Sequence, residues 1–313
     1  MVKECGILQF LKSELHCHNS YSNFNVGDFD APYDCNITIK EQLEQSHKLC
    51  LDVLFVTNHN TLDGYKAMLE YKNTHQKYKN IQIYPAEEAT IDTGAHVLVY
   101  GNTECISAGL SLDEVIDEAR SQNAVTSAPH PFSILDALRE DAKSCDLIEV
   151  FNSNNVDMIS NARAIQFAQK NKMVGVAGSD SHVLSTLGRC VNVIESENTL
   201  DDILSSMKKG KIHIQRTDYA SGRETLEHLR YKINNSKDYI QEYIAKYYPR
   251  YERLFSFLLK IFEMSQNNRF WLLIYQLAIM GMKRMSSKIN LQNYDSSVLR
   301  EKNLGTYCKL AFG

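Results

Sequence analysis

The 313-residue sequence contains no cysteines at C-x-x-C spacing, no internal repeat, no low-complexity run and no apolar stretch long enough to cross a bilayer. Each absence excludes something. The eight cysteines are scattered, and Met1-Val2-Lys3-Glu4-Cys5 lacks the basic start and apolar core of a secretory signal. Reduced thiols in a cytoplasmic protein follow, not a disulfide framework. The stretch from Phe270 to Met282 is apolar but well short of the roughly 20 residues a bilayer requires. It reads as a buried helix or an oligomer contact, and no membrane partner is expected. Hydrophobic residues at 43% and charged residues at 23% exclude disorder and describe an ordinary globular chain. Its length suits one large domain and a smaller one.

The net charge of −4 hides an asymmetry. Residues 1–216 carry 19 Lys+Arg against 29 Asp+Glu, and residues 217–313 carry 15 against 9, so the parts differ in sign. An acidic first part suits a site for several divalent cations, and a basic tail suits an anionic substrate or docking on the acidic part. The division is therefore placed at 1–216 and 217–313, where the pattern also changes. The tail reads as three helices, Leu226–Tyr248, Tyr251–Met264 and Phe270–Met285, and holds ten of the 17 tyrosines.

Before that boundary, strands and helices alternate. Cys5–Leu11, Val53–Thr57, Ile81–Pro85, His96–Gly101, Ala124–Ala128, Leu147–Phe151 and Met173–Ala177 read as strands. Between them lie helical stretches, one opening on a capping box at Thr38 and Glu41 and another, Ser111–Gln122, with Leu112, Val115, Ile116 and Ala119 on one face. Polar residues gather where strands end, which argues for a parallel α/β barrel, a fold that places its chemistry on that rim. Six of the ten histidines, His16, His18, His59, His96, His130 and His182, lie at strand termini. His47, His75, His213 and His228 fall elsewhere and read as structural. His16 and His18 are one residue apart on extended chain, so they point to one side and could chelate one ion.

Taken in order, Glu14-Leu15-His16-Cys17-His18, Thr57-Asn58-His59-Asn60-Thr61, Glu88, Gly94-Ala95-His96, Pro129-His130-Pro131 and Gly178-Ser179-Asp180-Ser181-His182 form a series. It resembles that of the polymerase and histidinol phosphatase (PHP) superfamily of metal-dependent phosphoesterases. The resemblance covers about residues 6–215, includes Ser185-Thr186-Leu187-Gly188-Arg189, and does not reach the helical tail. It implies a distorted (β/α)7 TIM-like barrel followed by a smaller all-α region, and two or three divalent ions of zinc, manganese or iron. His16, His18, Glu88 and Asp180 would hold the first ion. Glu88 would bridge to a second on His96 and His130, and His59 and His182 would bind a third. The implied reaction is attack of metal-activated hydroxide on phosphorus.

His182 is the candidate for protonating the leaving alcohol, and Arg189 for clamping a phosphate oxygen. Asn58 joins this catalytic set because it stands where the family usually has aspartate. Glu14 stands in place of another aspartate and is expected to orient an imidazole. With Asn23 near the third ion as well, two neutral amides replace carboxylates, so two firm ions and a weaker third are expected. The substrate would be a phosphorylated small molecule, a nucleotide or a nucleic-acid end met by the basic, tyrosine-rich tail. The competing reading is a metal-stabilised scaffold whose tail binds a partner. Metal-dependent C–N hydrolysis fits less well, because Glu88 occupies the bridging place where a lysine would be expected.

Overall fold

A computed structural model describes residues 8–26, 30–299 and 301–313. Its barrel elements are β1 (Gln9–Glu14), α1 (Ile39–Lys48), β2 (Val53–Val56), α2 (Asp63–Asn73), β3 (Gln82–Thr90), β4 (His96–Tyr100), α3 (Leu112–Ser121), β5 (Val125–Ala128), β6 (Leu147–Asn152), α4 (Ile159–Asn171) and β7 (Val174–Gly178). Then come β8 (Cys190–Ser196), α5 (Leu200–Lys208), β9 (Ile212–Thr217) and the helices α6 (Gly222–Asn235), α7 (Lys237–Tyr247), α8 (Glu252–Ser265), α9 (Phe270–Leu291) and α10 (Leu304–Phe312). The reciprocal side-chain and backbone hydrogen bonds of a capping box start α1 at Thr38, α3 at Ser111 and α6 at Ser221.

One sheet runs in the order β7-β6-β5-β4-β3-β2-β1-β8-β9 and curls into a nearly closed barrel. Two contacts bring β7 round to β8 and β1. The Asn192 side chain on β8 accepts from Ala177 N–H and donates to Ala177 C=O on β7, replacing a missing ladder pair with an amide of the same valence. Beyond β1 and β7 the chains pair in parallel, Asp180 N–H donating to His16 C=O at 2.7 Å and His18 N–H to Ser181 C=O at 3.1 Å. Leu11, Leu15, Phe55, Leu98, Tyr100, Leu147, Val176 and Ile194 fill the interior, where Ile203, Leu204 and Met207 of α5 join them.

The sheet departs from the expected parallel pattern. β4 is antiparallel to both β3 and β5, because the turn from Ile91 to Ala95, with Gly94 at φ 80°, is too short for a parallel crossover. His96 opens β4, so this reversal brings it to the rim where the parallel strands end. β1 starts later than expected, and residues 5–7 of the expected strand lie outside the described residues. β8 and β9 extend the expected series, β8 pairing antiparallel with β1.

The tail holds five α-helices among the described residues where three were expected. The first expected helix breaks at Ser236, with φ −112° and ψ 34°, and α10 is additional. The stretch expected to be buried forms most of α9 but leaves Phe270, Leu273, Ile274, Leu277 and Met280 exposed. Its other end is anchored to the barrel, where the Asn290 amide donates to Phe132 C=O and accepts from Arg139. No helix among the described residues is long and apolar enough to cross a membrane.

Candidate metal centre

Five of the six strand-end histidines converge on Glu88, which is 1% exposed near the end of β3, and His182 meets Asp34 and Asp180 instead. Its Oε1 lies 3.1 Å from His96 Nδ1 and 3.1 Å from His130 Nε2. Its Oε2 lies 3.3 Å from both His16 Nε2 and His18 Nε2 and 3.4 Å from His59 Nδ1. Asp180 adds a second carboxylate, with Oδ1 3.4 Å from His16, 3.5 Å from His18 and 3.5 Å from His182 Nδ1. His130 and Asp180 both have positive φ, at 31° and 49°, so this rim of ligand-type side chains includes strained backbone.

A third carboxylate, absent from the sequence reading, belongs to Asp34. Its Oδ2 lies 3.1 Å from His182 Nε2 and 3.7 Å from His59 Nε2, and His18, Asp34, His59 and His182 form one four-membered group of donors. Asp34 thus supplies one carboxylate where Asn23 and Asn58 were read as leaving two missing. Asn23 shapes the loop that presents Asp34, its Oδ1 accepting from the backbone N–H of Asp34 and Cys35. Asn58 points away from the carboxylates. It accepts from Asn19 N–H and the Ser22 hydroxyl and donates to the Asn19 side chain.

The surroundings determine which imidazole nitrogen is available. His16 Nδ1 donates to Glu149 Oε1 at 2.7 Å, and His182 Nδ1 to Asp180 C=O at 2.9 Å. The Ser22 hydroxyl, having given its proton to Asn58, accepts from His18 Nδ1 at 3.0 Å. All three rings thus turn Nε2 toward the carboxylates, the nitrogen left for a metal once any proton on it is lost. Glu149 was missed although a lone carboxylate inside the apolar Leu147-Ile148-Glu149-Val150 was a readable signal. Glu14 orients backbone and not an imidazole. It accepts from the N–H groups of Leu15, His16, Ser179 and Gly188 and from the Ser179 hydroxyl, and burial lifts its pKa to about 7.

Burial opposes charge throughout the cluster. Even so, Glu88 is held well below the carboxylate range by His16, His96 and His59, and Asp34 by His182 and His59. His96 and His182 rise to about 9 against burial, drawn up by Glu88 and Asp34 respectively, whereas burial takes His59 down to about 3. The donor set suits zinc, manganese or iron, being imidazole and carboxylate. A further test of fit is that His18 Nε2, Asp34 Oδ2, His59 Nδ1 and His96 Nδ1 are buried without a hydrogen-bond partner, a costly arrangement for polar atoms unless something coordinates them.

Two residues read differently in place. Arg189 Nη2 is 2.5 Å from Glu224 Oε1, which ties the loop after β7 to α6. His228, grouped with the structural histidines, lies in the wall of the site: its ring stacks on His182 at 4.6 Å and 20°, and its Nε2 meets Asp34 C=O at 2.8 Å. His47, His75 and His213 are exposed.

Residues 158–212 match the family described as PHP-associated. Two uncharacterized proteins of Methanocaldococcus jannaschii are similar over 161 residues. MJ0417 is 28% identical, with 48% of this chain and 61% of that protein covered, and MJ1587 is 30% identical, with 50% and 90% covered. The chain thus spans less than two thirds of MJ0417. A crystal structure of a two-domain protein from Bacteroides vulgatus, containing a predicted PHP-like metal-dependent phosphoesterase, has the same fold at a TM-score of 0.53 and 14% identity, with 72% of this chain and 70% of that one covered. With the ordered motifs, the barrel and these matches together, the chain belongs to the polymerase and histidinol phosphatase superfamily of metal-dependent phosphoesterases.

Proposed function

We propose that the protein hydrolyses phosphate esters at a centre of three divalent cations. The observation that carries this reading is the placement of Glu88, whose two oxygens face different sets of imidazoles, as a bridging carboxylate requires. His16, His18 and Asp180 would share the first ion with Glu88, and His96 and His130 the second. His59, His182 and Asp34 would hold the third. Ions bound there supply Lewis acidity, lowering the pKa of water and neutralising phosphate oxygens.

The chain's own contribution is positional. Glu88 sets the spacing between the first two sites. Glu149, Ser22 and the Asp180 carbonyl hold protons on Nδ1 of His16, His18 and His182. With Nδ1 on the Asp180 carbonyl and Nε2 facing Asp34, His182 is assigned to the third cation and not to the leaving alcohol. Arg189, paired with Glu224, braces the rim. The substrate is a phosphomonoester or a nucleotide or nucleic-acid end.

The test is hydrolysis of p-nitrophenyl phosphate and its bis ester with added manganese, zinc or iron. Wild-type turnover that disappears on chelation and in Glu88→Gln and His16→Ala is the expected result. A folded, metal-loaded wild type that turns over neither ester, nor any mononucleotide or short oligonucleotide, would leave the scaffold reading in its place.

A further inference from the structure

A phosphate ester needs cationic partners besides metal ions, and Arg189 is already engaged. Among the described residues, Lys232 is the one lysine or arginine that pairs with a carboxylate of the cluster. Its Nζ lies 3.6 Å from Asp34 Oδ1, on the opposite oxygen from the one facing His59 and His182. Lys232 comes from α6, one turn beyond His228, so the same helical face that stacks on His182 carries it to the mouth. Tyr231, beside it, accepts from the Asn23 amide at 2.9 Å, which fixes the helix against the loop that presents Asp34.

The second partner of Lys232 is Asp30, with Oδ2 at 2.5 Å. The two partners differ in burial: Asp34 is 2% exposed and Asp30 57%. An ammonium has three donors; one is given to Asp30, and Asp34 is an ion-pair partner beyond hydrogen-bond distance. Water competes for the exposed Asp30 carboxylate, which makes this the weaker kind of ion pair. Asp30 is therefore cheap to displace, whereas Asp34 holds the lysine stem in place.

We propose that Lys232 is a phosphate-binding residue of the site, and that Asp30 is its resting partner, replaced there by the phosphate group of the substrate. The helical tail thereby supplies part of the active site. This assignment rests on the phosphoesterase reading above and goes beyond it in naming the cation and its competitor.

The experiment is equilibrium binding of inorganic phosphate to the full, metal-loaded chain by calorimetry, with metal content per chain measured on the same samples. Lys232→Met keeps the apolar stem and removes the charge, and it is expected to weaken phosphate binding roughly 10- to 100-fold, the range for a charge-assisted hydrogen bond, at unchanged metal content. Lys232→Arg should recover most of that loss, since it restores the charge. Asp30→Asn should tighten binding by about 2- to 5-fold, because it removes the competitor. Unchanged phosphate affinity in Lys232→Met overturns the assignment, and so does a loss that only follows lost metal, which would make Lys232 a holder of Asp34. If the metal-loaded wild type neither binds phosphate nor hydrolyses any ester, the phosphoesterase reading fails with it. If the wild type binds phosphate and the variants do not differ, this assignment alone fails.

Discussion

His16 Nδ1 and Glu149 Oε1 are 2.7 Å apart, and neither side chain is exposed to solvent. Glu149 also accepts from His130 N–H and from the Asn152 side chain, so one carboxylate sets the proton on one proposed ligand and the backbone position of another. Glu149→Gln keeps the shape but can present an N–H where His16 needs an acceptor. Metal affinity is expected to fall about 10- to 100-fold, the usual result of losing an outer-shell acceptor. Competition with a chromogenic chelator measures it.

Gly178 ends β7 against the same carboxylate. A Cβ there would lie 1.8 Å from Glu149 Oε1 and 2.7 Å from His16 Cβ, and neither neighbour can retreat within a packed interior. Gly178→Ala is expected to cost about 1–3 kcal/mol or more, as overpacking does, and to reduce metal content at the same time. Thermal unfolding and elemental analysis of one preparation would show both. A stable variant with full metal content would mean that the carboxylate can relocate.

Asp34→Asn removes the only carboxylate of the third donor group while leaving its imidazoles in place. Metal content of the saturated protein is expected to fall from three equivalents to two. Retention of three would place the third ion elsewhere.

Without metal, His96 and His182 titrate near 9, so at neutral pH both are cationic and must lose a proton to ligate. Their raised values come from pairing with Glu88 and Asp34 and not from burial, which opposes them. Metal binding at pH 7 is therefore expected to release protons, and apparent affinity to climb with pH until about 9 and then level off. Calorimetry in buffers of different ionisation enthalpy counts the protons. Uptake, or no exchange, would contradict the assignment.

The barrel was legible because most strands are apolar runs with a histidine or an acidic residue at one end, a local pattern that survives folding. The β4 reversal was also local, since Asp92-Thr93-Gly94 is a tight turn, but its implication for sheet direction was not drawn. What stayed hidden is non-local. Asp34 lies in a polar loop without periodicity and meets His59 and His182 only because the loop folds over the rim. His228 meets the Asp34 carbonyl across 194 residues, and no spacing in sequence announces such a contact. Arg189 suited a phosphate clamp or a salt bridge equally, and its pairing with Glu224 is a contact that only the folded chain reveals.

β1 sits inside the sheet, between β2 and β8, and not at an edge. During synthesis, Glu14 is made 165 residues before the Ser179 N–H and hydroxyl it accepts. At about 5–20 residues per second, the ribosome takes on the order of ten seconds or more over that stretch. For all of that interval the first two histidines exist without Asp180, and for most of it without Glu149. On the proposed ligand set, the nascent chain would hold a metal only loosely until the barrel closes.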